Sequence, residues 1–289
     1  MSATPSSLEA AAAPIIERVP RMLIRPVERP ITDDVAVLKL DGAVVITDDE
    51  QGVAAALAVL LAANGLKTVL IRADRGASVN GQQPRIELTS PQTVKAWVQD
   101  VKAKHGRIAA VVHLLPLAHS ALSMGDDPRA WRAAIDVELL SLFNLAQALE
   151  DDLRLGGDGR VMVATRMGGS FGCNVDGGTT SFWPGNGGVC GLAKTLAREW
   201  PEVVSRVVDF DGSANADSMA GALLAELASN DPAPEAGRRD GRRFALVPGD
   251  ARLAERAARL ELTRDSVVLV TGGARGITAD SALSLARRF

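Results

Sequence analysis

The chain has 289 residues, of which 47% are hydrophobic and 23% charged, so it can bury the core of one large domain or two small ones. Its formal net charge of -3 argues against nucleic acid as a partner, because binding to a phosphate backbone needs a basic patch. The sequence has neither an apolar run long enough to span a membrane nor a signal peptide, so we expect a cytoplasmic protein with no membrane partner.

The N-terminal segment predicts no chemistry. Residues 1–30 contain an alanine run and five prolines, which is typical of a linker. A short apolar stretch at 22–24 predicts a strand within it. We therefore assign 1–30 to a linker and a first strand.

From residue 42 onward, short apolar strands alternate with amphipathic helices, which is the pattern of a parallel sheet covered on both faces. Strands are predicted at 43–47, 67–72, 85–88, 108–115, 160–165, 205–210 and 244–248. Helices are predicted near 51–63, 91–104, 128–152, 187–199 and 215–229. The pattern predicts an α/β fold with a doubly wound parallel sheet, a degenerate Rossmann fold, over residues 31–250.

The turn after strand 43–47 is acidic. Asp48, Asp49 and Glu50 stand where a nucleotide-binding fold has glycines. Asp48 and Asp49 could form a carboxylate pair for acid–base chemistry, but a helix N-terminus attracts acids for structural reasons alone, and we favour that interpretation. Here the acids would face a dinucleotide's phosphates, and like charges about 4 Å apart repel by roughly 4 kcal/mol at a surface-like dielectric. We expect this turn to keep its fold and to bind no dinucleotide.

Two further segments predict loops. Residues 167–191 are rich in glycine and follow a strand, and we interpret them as a loop anchored by Phe182 and Trp183 rather than a phosphate-binding loop. The arginine-rich segment 238–243 also contains Asp240 and Gly241, and we predict a solvated loop there. Cys173 and Cys190 lack metal-ligand spacing, and the three histidines lack suitable neighbours, so we assign no metal.

A charged connector at 251–265 leads to a second copy of the first strand and turn. Residues 268–277 align without a gap with 44–53, and Thr47 and Thr271 lie 224 residues apart. Glycines in the second copy permit positive φ and let backbone N–H groups approach a pyrophosphate. The candidate cofactor-binding residues are Thr271, Gly272, Gly273, Ala274, Arg275, Gly276 and Ile277. We expect 266–289 to be the truncated start of a second Rossmann fold, with one strand and one helix, so the chain looks like part of something longer.

The glycine turn between an apolar strand and a helix resembles the cofactor loop of the short-chain dehydrogenase/reductase family, as do residues 42–211. Glu138 stands where that family has its active-site asparagine, and Arg166 where it has its serine. Cys190 and Lys194 occupy the Tyr-x-x-x-Lys positions, and the chain has no tyrosine. The family's tyrosine donates a proton to the carbonyl oxygen, which a cysteine in its place cannot do. We expect Cys190 to be a packing residue, Lys194 to be solvated and the first fold to have no catalytic residue.

A reductase-like fold without its cofactor loop, followed by one that has it, resembles the ketoreductase modules of type I polyketide synthases and polyunsaturated fatty acid synthases. The likeness spans about residues 21–289 and is carried by 188–201 and 271–279. It implies reduction of a β-keto thioester by NADPH, with Arg275 placed to meet the 2′-phosphate. It also implies two partners, the downstream catalytic subdomain of the same polypeptide and a carrier-protein-bound acyl thioester. A non-catalytic pseudo-reductase scaffold or domain-interaction module is the alternative.

Overall fold

A computed structural model describes residues 21–31, 38–74, 85–118, 127–173, 182–251 and 261–289. The chain divides into two compact units, Met22–Gly249 and a second one that contains Asp250–Phe289. The predicted linker at 1–20 and the connector residues 252–260 lie outside the described residues.

The observed elements alternate along the chain much as the apolar pattern predicts. The strands are β1 (Met22–Glu28), β2 (Ala43–Thr47), β3 (Thr68–Ala73), β4 (Arg85–Ile86), β5 (Ile108–His113), β6 (Arg160–Thr165), β7 (Val204–Phe210), β8 (Glu235–Arg239) and β9 (Arg242–Asp250). The helices are α1 (Val53–Ala63), α2 (Pro91–His105), α3 (Pro128–Ile135), α4 (Ser141–Ala148), α5 (Glu150–Arg154), α6 (Asn186–Glu199), α7 (Ala216–Ala228) and α8 (Gly276–Arg288). A 3₁₀ turn at Leu115–Ala118 follows β5, and a π-helical turn at Asp136–Leu140 joins α3 to α4.

The strands of the first unit form one sheet in the order β1-β9-β8-β7-β6-β5-β2-β3-β4. Every pairing from β4 to β8 is parallel. The winding reverses between β2 and β5, and in such sheets ligands bind outside the carboxyl ends of the strands at this switch point. The predicted doubly wound parallel sheet is confirmed.

Two apolar layers cover the sheet. Successive side chains of a strand point to opposite faces. Val45 therefore packs with α2, α4 and α6, whereas Val44 and Ile46 pack with α1 and α7. All five residues of β2 are buried, which explains why its sequence is a continuous apolar run rather than an alternating one.

The prediction of a solvated loop at 238–243 holds only for the exposed turn at Asp240 and Gly241 and is wrong for the residues on either side. Those residues belong to an antiparallel pair, β8 and β9, in which Arg239 is opposite Arg242. Arg243 is only 3% exposed because the buried carboxylate of Glu226 lies 2.7 Å from its Nε. The tertiary partner of the arginines, which is distant in sequence, makes this segment a strand.

A buried ion network connects β7, α7, β8 and β9. The carboxylate of Glu226, at the end of α7, binds Arg206 at 3.0 Å, Arg238 at 2.6 Å and Arg243 at 2.7 Å. Arg243 also reaches Asp231 at 2.7 Å. Because Glu226 and Arg206 are fully buried, removing either partner would leave an uncompensated charge in the core.

β1 ends the sheet and is protected against further pairing. Its bonds to the β9 side, from the N–H of Arg29 to the oxygen of Arg243 and from the N–H of Ala251 to the oxygen of Arg21, show an antiparallel register. In that register the backbone N–H and C=O groups of the odd-numbered residues point to β9, whereas the backbone of Pro26 faces away from the sheet. Proline has no N–H to offer a further strand, and it is typical of such edges.

The second unit contains α8, preceded by the glycine turn. The predicted strand at 266–270 is not part of a sheet among the described residues, and Val267 and Leu269 are 98% and 91% exposed. The prediction of a strand is therefore wrong for this structure, because a strand needs a hydrogen-bonded neighbour and none is present in the described part of this unit. The predicted helix is confirmed. No described helix combines the length and the apolar character that crossing a membrane requires.

Candidate functional site

The carboxylate of Asp49 occupies the anion-binding position at the start of α1. Its oxygens accept N–H bonds from Gln51 at 3.1 Å, Val53 at 3.1 Å and Ala54 at 2.8 Å, and the residue is fully buried. The first N–H groups of a helix have no partner within the helix and readily bind a phosphate. Here the protein's own carboxylate satisfies them, so the helix-cap interpretation of this acid is confirmed.

The two acids that flank Asp49 are neutralised by arginines. Asp48 Oδ2 lies 2.7 Å from Arg72 Nε at the end of β3, and Glu50 Oε1 lies 2.7 Å from Arg85 Nη1 on β4. The hydrogen bond to Asp48 raises the pKa of Arg72. The expectation that these acids face a ligand's phosphates is therefore corrected: each acid is engaged by a partner within the protein. The end of β3 is also where dinucleotide-binding folds contact the ribose, and Asp48 engages the arginine there.

Side chains also cross the carboxyl end of the sheet between β2 and β6. Gln51 Nε2 donates to the carbonyl oxygen of Leu117 at 3.1 Å, and its Oε1 accepts from Arg166 Nη1 at 3.4 Å. Arg166 Nη2 lies 3.4 Å from the sulfur of Met219 on α7. Arg166, in the predicted serine position, thus spans the switch point and offers no hydroxyl there.

The asparagine position holds a buried glutamate. Glu138 lies in the π-helical turn, is fully buried, and accepts the indole N–H of Trp183 at 3.1 Å. Its backbone oxygen lies 2.8 Å from His113 Nε2, at the end of β5. Trp183 is 1% exposed, so it is an anchor of the loop before α6, as predicted. Residues 174–181 of that loop lie outside the described residues.

The tyrosine and lysine positions hold no usable acid. Cys190 is 5% exposed, and burial raises the pKa of its thiol to about 12, which agrees with its predicted packing role. The side chain of Lys194 is 45% exposed, so it is partly solvated as predicted, and it also forms a salt bridge with Glu235 on β8 at 2.8 Å. A proton donor that works at neutral pH needs a pKa near that pH, and the pKa of the Cys190 thiol lies far above it.

Asp209 is a structural residue of this site that could not be identified from the sequence. At the end of β7 it accepts hydrogen bonds from the Thr165 hydroxyl at 2.9 Å and from the backbone N–H of Met167 and Phe171 at 2.5 and 2.8 Å. Burial raises the pKa of this carboxyl. Asp209 thereby holds the turn after β6, and the only sequence signal was an acid within an apolar strand.

The predicted cofactor residues 271–277 lie together at the start of α8, in the second unit. Gly272 and Gly276 have φ of 72° and 64°, a conformation that favours glycine. A Cβ built at either position meets no atom within 4 Å, so these glycines serve the backbone rather than close packing. Arg275 precedes α8 in an extended conformation, and its side chain makes no capping bond. At α1 the Asp49 carboxylate accepts two of the first N–H groups, whereas no hydrogen bond from a described side chain to the first N–H groups of α8 is seen. Positive φ at the glycines and a helix start whose N–H groups point to solvent are the backbone features that an anion cradle requires.

The chain is similar to curated reductases over about half of its length. It is 25% identical over 162 residues to the 3-oxoacyl-(acyl-carrier-protein) reductase FabG of Escherichia coli (strain K12), and the aligned region covers 53% of this chain and 65% of that protein. It is 25% identical over 174 residues to the reductase of the same name from Thermotoga maritima, which covers 56% of this chain and 70% of that protein. The chain thus spans less than two thirds of the Escherichia coli relative.

Solved structures show the same fold. One is an adenylation, ketoreductase and pseudo-Asub multidomain structure of a keto acid-selecting NRPS module, with a TM-score of 0.63, 17% identity, and coverage of 80% of this chain and 18% of that one. Another is a metagenomic short-chain oxidoreductase in complex with NADP, with a TM-score of 0.52, 21% identity, and coverage of 71% and 99%. The family profile described as enoyl-(acyl carrier protein) reductase matches residues 48–208, more than half of the chain. The protein therefore belongs to this family of short-chain dehydrogenases/reductases.

Proposed function

We propose that this chain supplies the scaffold half and the first cofactor loop of an NADPH-dependent β-ketoacyl thioester ketoreductase within a cytoplasmic polyketide or fatty acid synthase. The contrast between two helix starts carries the proposal: the Asp49 carboxylate caps α1, whereas the glycine turn before α8 has no side-chain cap among the described residues. An anion can therefore bind the second start but not the first.

In this proposal residues 31–250 are the structural subdomain, 251–265 the connector and 266–289 the start of the catalytic subdomain. Thr271 to Ile277 would hold the pyrophosphate of NADPH, and Arg275 its 2′-phosphate. NADPH, when bound, supplies the hydride. The partners would be the downstream catalytic subdomain of the same polypeptide and a carrier-protein-bound acyl thioester. Relatives named as 3-oxoacyl-(acyl-carrier-protein) reductases support this substrate class, and a structural neighbour with bound NADP supports the cofactor.

The first fold contributes no catalytic residue in this proposal. Glu138 is buried and hydrogen-bonded to Trp183, and Cys190 is packed in the core. Arg166 lies across the switch point and contacts Gln51. The part that these residues play is to shape and rigidify the subdomain. Substitutions there should affect stability rather than the chemistry of reduction.

The test is a reductase assay on the full polypeptide translated from the gene, with NADPH and an acetoacetyl thioester. Gly272→Val should abolish turnover, because a β-branched residue cannot adopt the positive φ of the cofactor turn. Cys190→Ala should leave kcat/KM within about twofold. Loss of turnover in Cys190→Ala with retention in Gly272→Val would refute the proposal. A folded polypeptide that reduces no thioester would favour the alternative, a non-catalytic scaffold.

A further inference from the structure

A cavity of about 480 Å³ lies between α7 and the turn that joins β8 to β9, and the proposed function does not use it. Its α7 wall is a row of small residues on one helix face, Ser218, Gly221, Ala222 and Ala225. Phe210 at the end of β7 and Arg238 on β8 also line it. Sites for small molecules usually measure roughly 300–1,000 Å³, so this cavity has the size of a ligand site.

Most of the hydrogen-bonding capacity of Arg238 is unused. A guanidinium has five N–H donors, and among the described residues that of Arg238 makes one hydrogen bond, from Nη2 to Glu226 Oε1 at 2.6 Å. Its Nε is buried without an acceptor in the same part of the chain. The side chain is 21% exposed and lines the cavity, so a ligand can reach it without any rearrangement of the fold.

The ion network around Arg238 carries more positive than negative charge. Its described members are four arginines and two carboxylates, namely Arg29, Arg206, Arg238 and Arg243 with Glu226 and Asp231. Arg29 is 49% exposed, so solvent screens its charge, but the other three arginines still outnumber the carboxylates. Buried charge is costly unless it has a counter-charge. The network therefore favours an anion at Arg238, the member that lines the cavity.

Two acids also line the cavity, and both are engaged within the protein. Asp211 accepts hydrogen bonds from the backbone N–H groups of Ser213 and Asp240, both at 2.9 Å. The carboxylate of Asp240 lies 3.4 Å from Arg239 Nε. These acids disfavour a dianion such as a phosphate monoester, because repulsion between like charges grows with the charge of the ligand. A monoanion fits the small positive excess at Arg238 better.

We propose that this cavity binds a small organic carboxylate. Arg238 holds the carboxylate, because a planar guanidinium matches the geometry of that group and donates two parallel N–H bonds to it. The small residues of α7 contact the apolar body of the ligand. The site is separate from the glycine turn before α8, so it does not depend on the proposed reductase function.

The first experiment titrates the full chain with benzoate and follows its amide NMR spectrum. The resonances of Gly221, Ala222 and Gly241, which all line the cavity, should shift saturably. Benzamide has the same size but no charge and should bind about tenfold more weakly, because the bond to Arg238 loses its ionic partner. Phenyl phosphate, a dianion, should also bind more weakly than benzoate. Equal binding of benzoate and benzamide, tighter binding of phenyl phosphate, or no saturable shift up to tens of millimolar benzoate would overturn the proposal.

The second experiment repeats the benzoate titration on a pair of arginine variants. Arg238→Gln should weaken binding about tenfold or more, because the charged donor is lost. Arg242→Gln is the matched control: Arg242 also lines the cavity, but it already pairs with Glu28, so binding should stay within about twofold. Equal weakening by both variants would show a general effect of charge and would overturn the assignment to Arg238.

A pair of glycine variants tests the cavity itself and does not disturb the ion network. A Cβ at Gly221 in α7 meets no atom within 4 Å, so Gly221→Leu should fold and fill the cavity that this residue lines. It should abolish benzoate binding. Gly191→Leu is the control, because Gly191 is equally free of neighbours but lies in α6, away from the cavity lining, and binding should be unchanged. Wild-type binding by Gly221→Leu would overturn the proposal, and this pair decides if Arg238→Gln does not fold.

Discussion

Replacing Asp49 by alanine should destabilise the first unit strongly, because within the described part of the chain no other side chain accepts the N–H groups of Val53 and Ala54 at the start of α1. The carboxylate accepts three N–H groups, and two of them belong to the buried residues Val53 and Ala54. A buried donor left without a partner costs about 1–3 kcal/mol, and loss of a helix cap by itself about 1 kcal/mol. Since these contributions overlap, we expect the free energy of unfolding to fall by about 3 kcal/mol.

Urea unfolding followed by circular dichroism measures this loss. Asn215→Ala is the matched control, because Asn215 caps α7 through a single bond, from the N–H of Ser218, at an exposed site. That variant should lose about 1 kcal/mol. If Asp49→Ala loses no more than Asn215→Ala, the carboxylate is not the main ligand of the helix start and the reasoning is refuted.

Three further predictions concern buried charges and thiols. Glu226→Gln should lower the free energy of unfolding by about 3–5 kcal/mol, because the arginines around it stay buried without their counter-charge. Glu28→Gln, at the exposed pair with Arg242, should change it by less than about 1 kcal/mol. Similar urea midpoints for the two variants would contradict this prediction. Burial opposes ionisation of Glu226, but the hydrogen bond to Arg243 and the charges of Arg238 and Arg206 hold its pKa below its ordinary value. Its stabilisation is thus present above the unfolded pKa of about 4.3 and is lost as the pH falls through the folded pKa, so acid should destabilise Glu226→Gln less steeply than the wild type. The Cys190 thiol, with a pKa of about 12, should resist iodoacetamide in the native protein at mildly alkaline pH, and mass spectrometry that finds Cys190 alkylated before Cys173 would contradict its burial.

Elements whose own residues are apolar enough to indicate burial could be predicted from the sequence. The apolar runs of β2, β5 and β6 are buried on both faces, so local composition alone identifies them. The acid at the start of α1 was also predictable as a cap, because helix starts favour acids wherever they occur. In both cases the signal lies within a few residues of the element.

Elements that depend on distant partners could not be predicted. β8 consists of Glu235–Arg239, whose charged residues indicate a loop, yet Glu226 in α7 pairs with Arg238 and makes the strand possible. The converse holds at 266–270, where the apolar residues indicate a strand but no neighbouring strand is described. The contact of Trp183 with Glu138 joins residues 45 positions apart, and no local pattern marks it.

Amide NMR during a titration with NADPH tests the central claim most directly, because it reports on the start of α1 itself. The account predicts that the amide resonances of Gln51, Val53 and Ala54 stay unchanged up to millimolar NADPH, since the Asp49 carboxylate already binds these groups. Saturable shifts of these three resonances at micromolar NADPH would show that a nucleotide displaces the carboxylate, and would contradict it.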